Sequence, residues 1–279
     1  MRRRRPIPYL EGVAYLSHRE RISFPSPLDA DEDIVAAGGN LSPGVLLSAY
    51  EQGIFPWYEE GYPILWWSPE IRCILWSNDL HISKRLRRDL RRTDFRFSAD
   101  LAFEQVIHAC ATIPRRGQEG TWITPEMRDA YIRLHHLGYA HSVEVWRGEA
   151  LVGGFYGVSL GRVFFGESMF SLVDNASKAA LVFSRALFLR LGITLVDCQV
   201  PTDHLLRMGA VTVPREDFLA SLGPLLRTPS RRGTWRVSSL LRTCLLPGLT
   251  HMEEPLSELL FLEKSRERET VDLAEMGGV

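Results

Sequence analysis

Two acidic residues lie in stretches of sequence that are otherwise apolar, where a carboxylate is costly unless it is hydrogen-bonded or used. Glu167 interrupts the run VFFGESMF, and Asp197 belongs to LVDCQV, two positions before Gln199. Residues two apart on a strand point to the same face of a sheet. We therefore expect Asp197 and Gln199 to share a face, with Cys198 on the other, and to form a centre for acid–base or hydrogen-bonding chemistry.

Each acid also has an ordinary structural interpretation. Asp197 would bond a neighbouring amide or arginine at a strand end, and Glu167 would form a buried ion pair or hydrogen bond. Both acids, however, fall at matching places in one predicted sheet, close to glycines that would let a ligand approach the backbone. These glycines are Gly153, Gly154 and Gly166. The pattern favours a site on this sheet and leaves the structural roles open.

A second set of candidates is aromatic. Rings beside proline and glycine turns are often exposed, and stacking a nucleobase on such a ring contributes about 1–3 kcal/mol. Packing between domains is the alternative for these residues. They are Tyr50, Phe55, Trp57, Trp66, Trp67 and Trp122.

A third set is basic and lies on a helix predicted over residues 80–92. Its six cations fall within nine residues, a density that favours phosphate binding as strongly as it favours a merely solvated face. They are Lys84, Arg85, Arg87, Arg88, Arg91 and Arg92.

The composition is that of a globular protein, with 279 residues of which 45% are hydrophobic and 24% charged. The net charge is −1, but the cations are clustered, which suits a polyanionic partner that touches one face. The four cysteines form no CxxC pair and are expected to be reduced thiols. No apolar run reaches the roughly 18 residues of a membrane span, and Pro6, Pro8 and Glu11 interrupt any signal sequence after the N-terminal arginines. We expect a cytoplasmic protein.

Changes in pattern along the chain predict an α+β fold in two domains. A small N-terminal α+β domain is predicted over residues 24–75. It has a helix that Ser42 caps, that has Pro43 at its first position and that Gly53 ends, and an extended element between Pro63 and Pro69. A mixed-sheet domain is predicted over residues 76–230. Residues 1–23 are a leader and residues 231–279 a C-terminal extension, both of uncertain order.

The second domain alternates helical and strand periodicities. Thr124 and Asn175 are predicted helix caps, and Gly138 and Gly192 predicted helix ends. Beyond the basic helix, we predict helices over 99–112, 125–137 and 176–191, and strands over 141–146, 151–158, 162–169 and 193–200.

Some activities are disfavoured by the sequence. No GxxxxGK[ST] loop, GxSxG elbow or HExxH pair is present. The order hairpin, helix, strand after residue 139 is that of an acetyltransferase-like sheet, but the segment SLVDNASK before the helix has an acid and no glycine. This segment argues against coenzyme A.

Taken in order, the motifs closely resemble the leucyl/phenylalanyl-tRNA–protein transferase family. The matching segments extend from about residue 24 to about residue 219 and include GGNLSPGVLLSAYEQGIFPWY, ILWWSPEIRCIL, LHISKRLRRD, GTWITPEMRDAYIRLHHLGYAHSVEVW, LVGGFYGV, FFGESMFS, NASKAA and VDCQV. The resemblance implies a small N-terminal domain packed on an acetyltransferase-like (GNAT-like) domain that uses no acetyl-CoA. It also implies transfer of Leu or Phe from aminoacyl-tRNA to a protein that begins with Arg or Lys, which marks that protein for degradation.

The resemblance further implies roles for individual residues. The 3′ adenosine of the tRNA would be held by Tyr50, Trp57 and Trp122. The side chain of the transferred residue would lie among Phe155, Phe164, Leu181 and Val196. The reaction centre would comprise Glu167, Asp197 and Gln199, and the six cations of the basic helix would bind the acceptor stem.

An aminoacyl ester is already activated, so the reaction needs no cofactor and no metal. The nucleophile is an α-amino group with an ordinary pKa of about 7.7–8.0, so a useful fraction is neutral near pH 7.5, and the protein has mainly to align the amine and the ester. In our hypothesis Asp197 orients Gln199 and helps to handle the amine proton, while Glu167 contributes negative charge for the basic acceptor. Nothing in the sequence requires more than a monomer.

Three features depart from the family pattern. Phe155 stands where methionine is common, which predicts a narrower pocket and a modest preference for Leu over Phe. Pro201 and Thr202 replace the usual Leu-Asn after Cys-Gln-Val, and the loop over residues 113–118 is longer than is common. Two alternatives remain open: another aminoacyl-tRNA-dependent ligase, such as one that builds cell-wall peptides, and a non-catalytic RNA-binding adaptor.

Overall fold

Helices and two β-sheets make up the protein, which is the α+β class that the sequence predicted. The computed structural model describes residues 7–30, 32–113 and 122–240. The helices are α1 (Pro43–Glu51), α2 (Lys84–Leu90), α3 (Phe103–Thr112), α4 (Pro125–His136), α5 (Ala176–Leu191), α6 (Asp203–Arg207) and α7 (Arg215–Leu226). The strands are β1 (Tyr9–Leu10), β2 (Ile34–Gly38), β3 (Phe55–Pro56), β4 (Leu65–Trp67), β5 (Ile71–Trp76), β6 (Arg96–Ala99), β7 (Ala140–Arg147), β8 (Ala150–Leu160), β9 (Val163–Ser171), β10 (Leu195–Gln199), β11 (Val211–Pro214) and β12 (Val237–Leu240).

Both sheets mix parallel and antiparallel pairs. The smaller has the order β1-β2-β4-β3, with β1 parallel to β2. The larger has eight strands in the order β11-β5-β10-β9-β8-β7-β6-β12. The predicted domain boundary at residue 75 divides β5, which lies inside the larger sheet between β11 and β10.

The larger sheet opens between its two parallel strands. β9 and β10 pair only where Val163–Phe165 lies beside Leu195–Asp197, although β9 continues to Ser171. On its other side β10 has a register shift against β5 between Asp197 and Gln199, and Gln199 has the left-handed value φ = 60°. β10 ends at this residue. The strands therefore part at the end of β10 and leave a cleft in the middle of the sheet.

The N-terminal segment packs along α1, as its hydrogen bonds show. The Leu16 amide donates to Ser42 Oγ over 3.0 Å, and the Ile22 amide donates to Ser48 Oγ over 2.9 Å. Ser42 holds the predicted N-cap position of α1, but its side chain makes no capping bond, so that part of the prediction is wrong. The distant amide of Leu16 takes its oxygen instead.

Other element predictions need smaller corrections. The helix predicted over 99–112 begins at Phe103, because Asp100 has φ = 56° and accepts a hydrogen bond from the Ser142 amide. The residues before Asp100, Arg96–Ala99, form β6, a strand that the sequence did not predict. The basic helix is shorter than predicted, since Ser83 caps it by accepting from the Leu86 amide. Thr124 caps α4 as predicted, whereas the predicted cap Asn175 makes no side-chain capping bond.

Some predictions fall outside the described ranges: the N-terminal arginines, most of the loop over 113–118, and the C-terminal extension beyond residue 240. Within those ranges, none of the helices combines the length and apolar character that crossing a bilayer requires.

The packing of the N-terminal segment on α1 predicts the effect of Gly44→Ala. A Cβ at Gly44 would lie 2.5 Å from the Ser17 carbonyl oxygen and 2.6 Å from Leu16 Cβ, so the segment would have to shift. We expect a loss of about 1–3 kcal/mol in unfolding free energy, measured by urea titration. Gly223→Ala is the control. Apart from its two chain neighbours, its Cβ would meet nothing within 4 Å. Because Pro224 follows and its ring crowds that Cβ in a helix, the helix preference of alanine is offset, and we expect a change of less than about 1 kcal/mol. Equal effects of the two substitutions would contradict the proposed packing.

Candidate active site

A cavity of about 650 Å³ occupies the cleft between β9 and β10. Its apolar part contains all four residues that the sequence assigned to a side-chain pocket, together with Phe188 of α5. Phe164 contacts both other rings, with centroids 5.8 Å from Phe155 and 4.7 Å from Phe188. The apolar lining comprises Phe155, Phe164, Leu181, Phe188 and Val196. Sequence reasoning missed Phe188, which its helical spacing from Leu181 could have indicated.

Aromatic rings from β3 and from the segment before α4 also line the cavity. Trp57 is 41% exposed, and Trp122 is half-buried; both line the cavity, as does the buried Phe55. Trp67 supports Trp57 with centroids 5.4 Å apart and donates from Nε1 to the Trp57 carbonyl over 2.6 Å. Trp66 is buried and belongs to the core. Three of the six aromatic candidates therefore line the cavity.

Glu167 lies in the cavity wall, in contact with polar side chains from three other elements. Its Oε1 lies 2.7 Å from the Tyr50 hydroxyl and 2.9 Å from Gln199 Nε2, and its Oε2 lies 2.7 Å from the Tyr131 hydroxyl. The two hydroxyl oxygens are 2.5 Å apart. Burial raises the pKa of Glu167 to about 7, although the bonds from Tyr50, Tyr131 and Gln199 oppose that rise.

Tyr131 is a member of the site that the sequence did not reveal. Its position in α4 follows the apolar stripe of that helix, and nothing in its sequence context distinguishes it from a core tyrosine. Tyr50, a predicted adenosine contact, is likewise fully buried, and its ring lies 5.1 Å from that of Phe165. The structure places Tyr50 behind Glu167 rather than on the cavity wall. Burial raises the pKa of both tyrosines well above the ordinary value.

Asp197 is fully buried and lies behind Gln199. Arg72 of β5 binds it through one edge of the guanidinium group, with Nε donating to Oδ1 over 2.8 Å and Nη2 donating to Oδ2 over 2.6 Å. Asp197 Oδ1 also accepts from the Gln199 amide over 2.9 Å. Asp197 does not line the cavity, whereas Gln199 does. The carboxylate thus acts on the cavity through the backbone of Gln199.

Arg72 is a second residue that sequence reasoning missed. Its guanidinium carbon lies 4.9 Å from the centre of the Phe55 ring and 4.5 Å from that of Phe218 in α7. It is 1% exposed, although an arginine in the segment EIRCIL gives no sign of burial. The same two strands also bring two thiols close together, Cys73 of β5 and Cys198 of β10, and Cys198 lines the cavity. The third described cysteine, Cys110, forms no disulfide.

The cations of α2 lie on the surface. Leu86 and Leu90 face inwards, and most of the basic side chains face solvent. Asp89 contacts Arg85 at 3.6 Å and Arg88 at 3.3 Å, but these two arginines remain 85% and 61% exposed. An exposed row of cations such as this can reach phosphate groups without rearrangement.

Comparison with known proteins identifies the class. A family model described as leucyl/phenylalanyl-tRNA protein transferase matches residues 74–223, and a model of the N-terminal domain of that family matches residues 39–70. The chain is 56% identical over 211 residues to the leucyl/phenylalanyl-tRNA–protein transferase of Syntrophus aciditrophicus (strain SB), which covers 76% of this chain and 88% of that protein. It is 54% identical over 224 residues to that of Nitratidesulfovibrio vulgaris (strain DP4), covering 80% and 96%.

The relative from Myxococcus xanthus (strain DK1622) is 51% identical over 224 residues, covering 80% of this chain and 96% of that protein. Among solved structures, a functionally unknown conserved protein from Staphylococcus epidermidis ATCC 12228 aligns with a TM-score of 0.37 and 11% identity, over 65% of this chain and 68% of that one. A likeness this low carries no argument about the fold.

An apolar cavity beside a polar centre, together with these matches, defines an enzyme of the aminoacyltransferase class. The chain belongs to the leucyl/phenylalanyl-tRNA protein transferase family. Its reaction is the transfer of Leu or Phe from tRNA to protein.

The buried ion pair predicts the effect of Arg72→Met. The substitution leaves the Asp197 carboxylate buried without a charged partner, and we expect a loss of about 3–5 kcal/mol in the free energy of unfolding. Urea titration measures it. The control is Arg21→Met, because the Arg21–Glu51 pair is about one-third exposed on each side and should contribute at most about 1 kcal/mol. Similar losses in the two variants would contradict a special role for the buried pair.

Proposed function

We propose that the cavity holds the aminoacylated 3′ end of a tRNA and that the enzyme joins its Leu or Phe to the N-terminal Arg or Lys of an acceptor protein. The observation that carries the proposal is that the apolar part of the cavity lies next to the Glu167–Gln199 pair. We call this part, which is lined by Phe155, Phe164, Leu181, Phe188 and Val196, the apolar chamber. An apolar side chain in the chamber would place its ester beside Gln199. The cytoplasmic location, where charged tRNA is found, and the monomeric state belong to the same proposal.

The donor would bind through two parts of the cavity. The Leu or Phe side chain would contact Phe155, Phe164 and Phe188, and the adenine would stack on Trp57 or Trp122 at about 1–3 kcal/mol. Tyr50 would support this site from behind Glu167, and its direct contact with adenosine remains a prediction. The exposed cations of α2 would bind phosphates of the acceptor stem, because a row of arginines on an open surface suits a polyanion.

The acceptor amine, in its neutral form, would be the nucleophile that attacks the ester carbonyl carbon. A C–N bond forms, the bond between the carbonyl carbon and the ribose oxygen breaks, and the amine loses one proton while the ribose oxygen gains one. Gln199 Nε2 donates a hydrogen bond to Glu167, which leaves Gln199 Oε1 to accept a hydrogen bond from an N–H of the amine. Asp197, held by Arg72, would fix the backbone of Gln199. Alignment of amine and ester then supplies most of the acceleration.

The local topology supports an acetyltransferase-like arrangement as part of this proposal. Strands β9 and β10 are parallel, are connected through α5 and part beside the cavity. A cleft between two parting parallel strands lets the backbone and the side chains of both strands contact one acyl group. The fold would then supply an acyl site for an ester carried by tRNA.

The experiment that tests the proposal uses three peptides that differ only in the first residue. Labelled Leu on Leu-tRNA should be transferred to the peptides that begin with Arg and Lys and not to the one that begins with Ala. Transfer is measured by retention of label on the isolated peptide. Equal transfer to all three would refute the acceptor rule. The variant Asp197→Ala, checked for folding by circular dichroism, should lose most of the activity; full activity would refute the role of Asp197.

The chamber lining predicts donor preference. Phe155 packs edge-on against Phe164 and takes up chamber volume, so the enzyme should prefer Leu-tRNA to Phe-tRNA when the two compete. Phe155→Met should shift the ratio of kcat/KM values towards Phe by about 10-fold, since pocket-size effects are of this order. Phe97→Met is the control, because Phe97 is equally buried but stacks on Phe183 away from the cavity. Equal or greater use of Phe by the unmodified enzyme would contradict the predicted preference.

A further inference from the structure

Three oxygen–oxygen contacts form a closed ring around Glu167. They join Tyr50 to Glu167 Oε1 at 2.7 Å, Tyr131 to Glu167 Oε2 at 2.7 Å, and the two tyrosine hydroxyls to each other at 2.5 Å. All three distances are those of O–H···O hydrogen bonds, so each contact requires one proton between its oxygens.

The ring needs more protons than the tyrosines can provide. Each phenol has a single hydrogen, so Tyr50 and Tyr131 supply two protons for three contacts. If Glu167 were ionised, one pair of oxygens would face each other at hydrogen-bonding distance without a proton. A proton on the carboxyl group completes the ring. Oε1 has a second contact, with Gln199 Nε2, and because the carbonyl oxygen is the stronger acceptor of a carboxylic acid, the proton lies on Oε2.

We infer that Glu167 is a neutral carboxylic acid in the resting enzyme and that Tyr131 is a positioning residue that closes the ring. Glu167 Oε2 donates to Tyr131, Tyr131 donates to Tyr50, and Tyr50 donates to Oε1. This inference rests on the proposed function, because the group that the ring positions is Gln199. It also replaces the negative charge that the sequence hypothesis assigned to Glu167 with a hydrogen-bonding role.

The charges around Glu167 favour the neutral form. Asp197 of β10 is a nearby carboxylate, and its charge is already matched by Arg72 of β5. The other titratable groups that face the ring are the phenols of Tyr50 in α1, Tyr131 in α4 and Tyr156 in β8. Burial raises the pKa values of Tyr50 and Tyr131. No cation is hydrogen-bonded to Glu167 among the described residues. A second buried carboxylate here would be repelled by Asp197 and lack a counter-ion.

The ring determines which end of the Gln199 amide faces the substrate. The one proton of Glu167 is used within the ring, so Oε1 can only accept from Gln199, and Gln199 must turn Nε2 towards it. Gln199 Oε1 is then directed away from Glu167, where an amine N–H can reach it. If Glu167 donated to Gln199 instead, the amide would turn round and present N–H groups to an amine that needs an acceptor.

The experiment compares Glu167→Gln with Glu167→Ala and with the unmodified enzyme. A glutamine is the isostere of the neutral acid: its carbonyl can accept from Tyr50 and Gln199 while its amide donates to Tyr131. Glu167→Gln should therefore keep kcat within about 3-fold at pH about 6.5, and Glu167→Ala should lose about 10-fold or more. A loss in Glu167→Gln as large as that in Glu167→Ala would overturn the inference, because it would mean that the carboxylate is required.

The pH dependence gives a second readout. Burial holds the pKa of Glu167 at about 7, so the neutral form is present below that pH and is lost above it. The ratio of kcat in Glu167→Gln to kcat in the unmodified enzyme should rise from about pH 6 to about pH 8. Taking a ratio cancels the titration of the acceptor amine. A ratio that falls over this interval would overturn the inference.

Tyr131→Phe tests the positioning role. It removes the hydroxyl that closes the ring, and kcat should fall about 10-fold while KM for Leu-tRNA changes little. Tyr58→Phe is the matched control, because Tyr58 is also buried but its hydroxyl contacts Thr124 and Glu126, outside the ring. Unchanged kcat in Tyr131→Phe would overturn the role.

A stability measurement, which does not depend on enzyme activity, tests this inference separately from the proposed function. The folded-state pKa of Glu167 is raised above its unfolded value, so the linked stability is present at low pH and is lost as pH rises through about 7. The Tm of Glu167→Gln minus that of the unmodified enzyme should increase from about pH 5 to about pH 7.5. If this Tm difference increases but the peptide experiment shows no transfer, the proposed function is refuted and the ring is retained. If the Tm difference decreases with pH, the ring itself is refuted.

Discussion

The bidentate ion pair between Arg72 and Asp197 is the interaction on which the rest of the structure depends. It connects β5 to β10 in the larger sheet, and the guanidinium group is enclosed by Phe55 of the smaller sheet and Phe218 of α7. Four separate parts of the chain therefore meet at one buried charge pair. A buried pair of this kind tolerates little displacement, because moving either partner leaves a charge in an apolar environment. The backbone amide of Gln199 donates to Asp197, so this constraint places Gln199 at the edge of the cavity.

Burial then decides the state of the remaining acid. Asp197 is paired with a cation, whereas Glu167 has only hydroxyl and amide partners and a raised pKa. Two carboxyl groups in one site are thus separated in role by their neighbours. The arrangement suits a reaction in which the donor ester is already activated, because the protein needs to align an amine and to accept one of its hydrogens rather than to generate a strong base.

Much of the site was predictable because its residues follow local rules. Glu167, Gln199, Trp57 and Trp122 all reach the cavity, and the helices that begin at Pro43 and Pro125 carry start signals in the sequence. The misses share a cause. Tyr131 and Arg72 look like an ordinary core residue and an ordinary surface residue, and only contacts with partners 36 and 125 residues away give them their roles.

The sequence by itself determined the α+β class, the order of most elements and the family, because periodicity, capping signals and long motifs are local properties of the chain. The tertiary structure decided the rest. It showed that Tyr50 lies behind Glu167, that Asp197 is shielded by Arg72 and that β9 and β10 part beside the cavity. Each of these depends on which groups lose water together on folding. Hydrogen-bond partners, and with them the proton on a buried acid, are set by neighbours that local sequence does not specify.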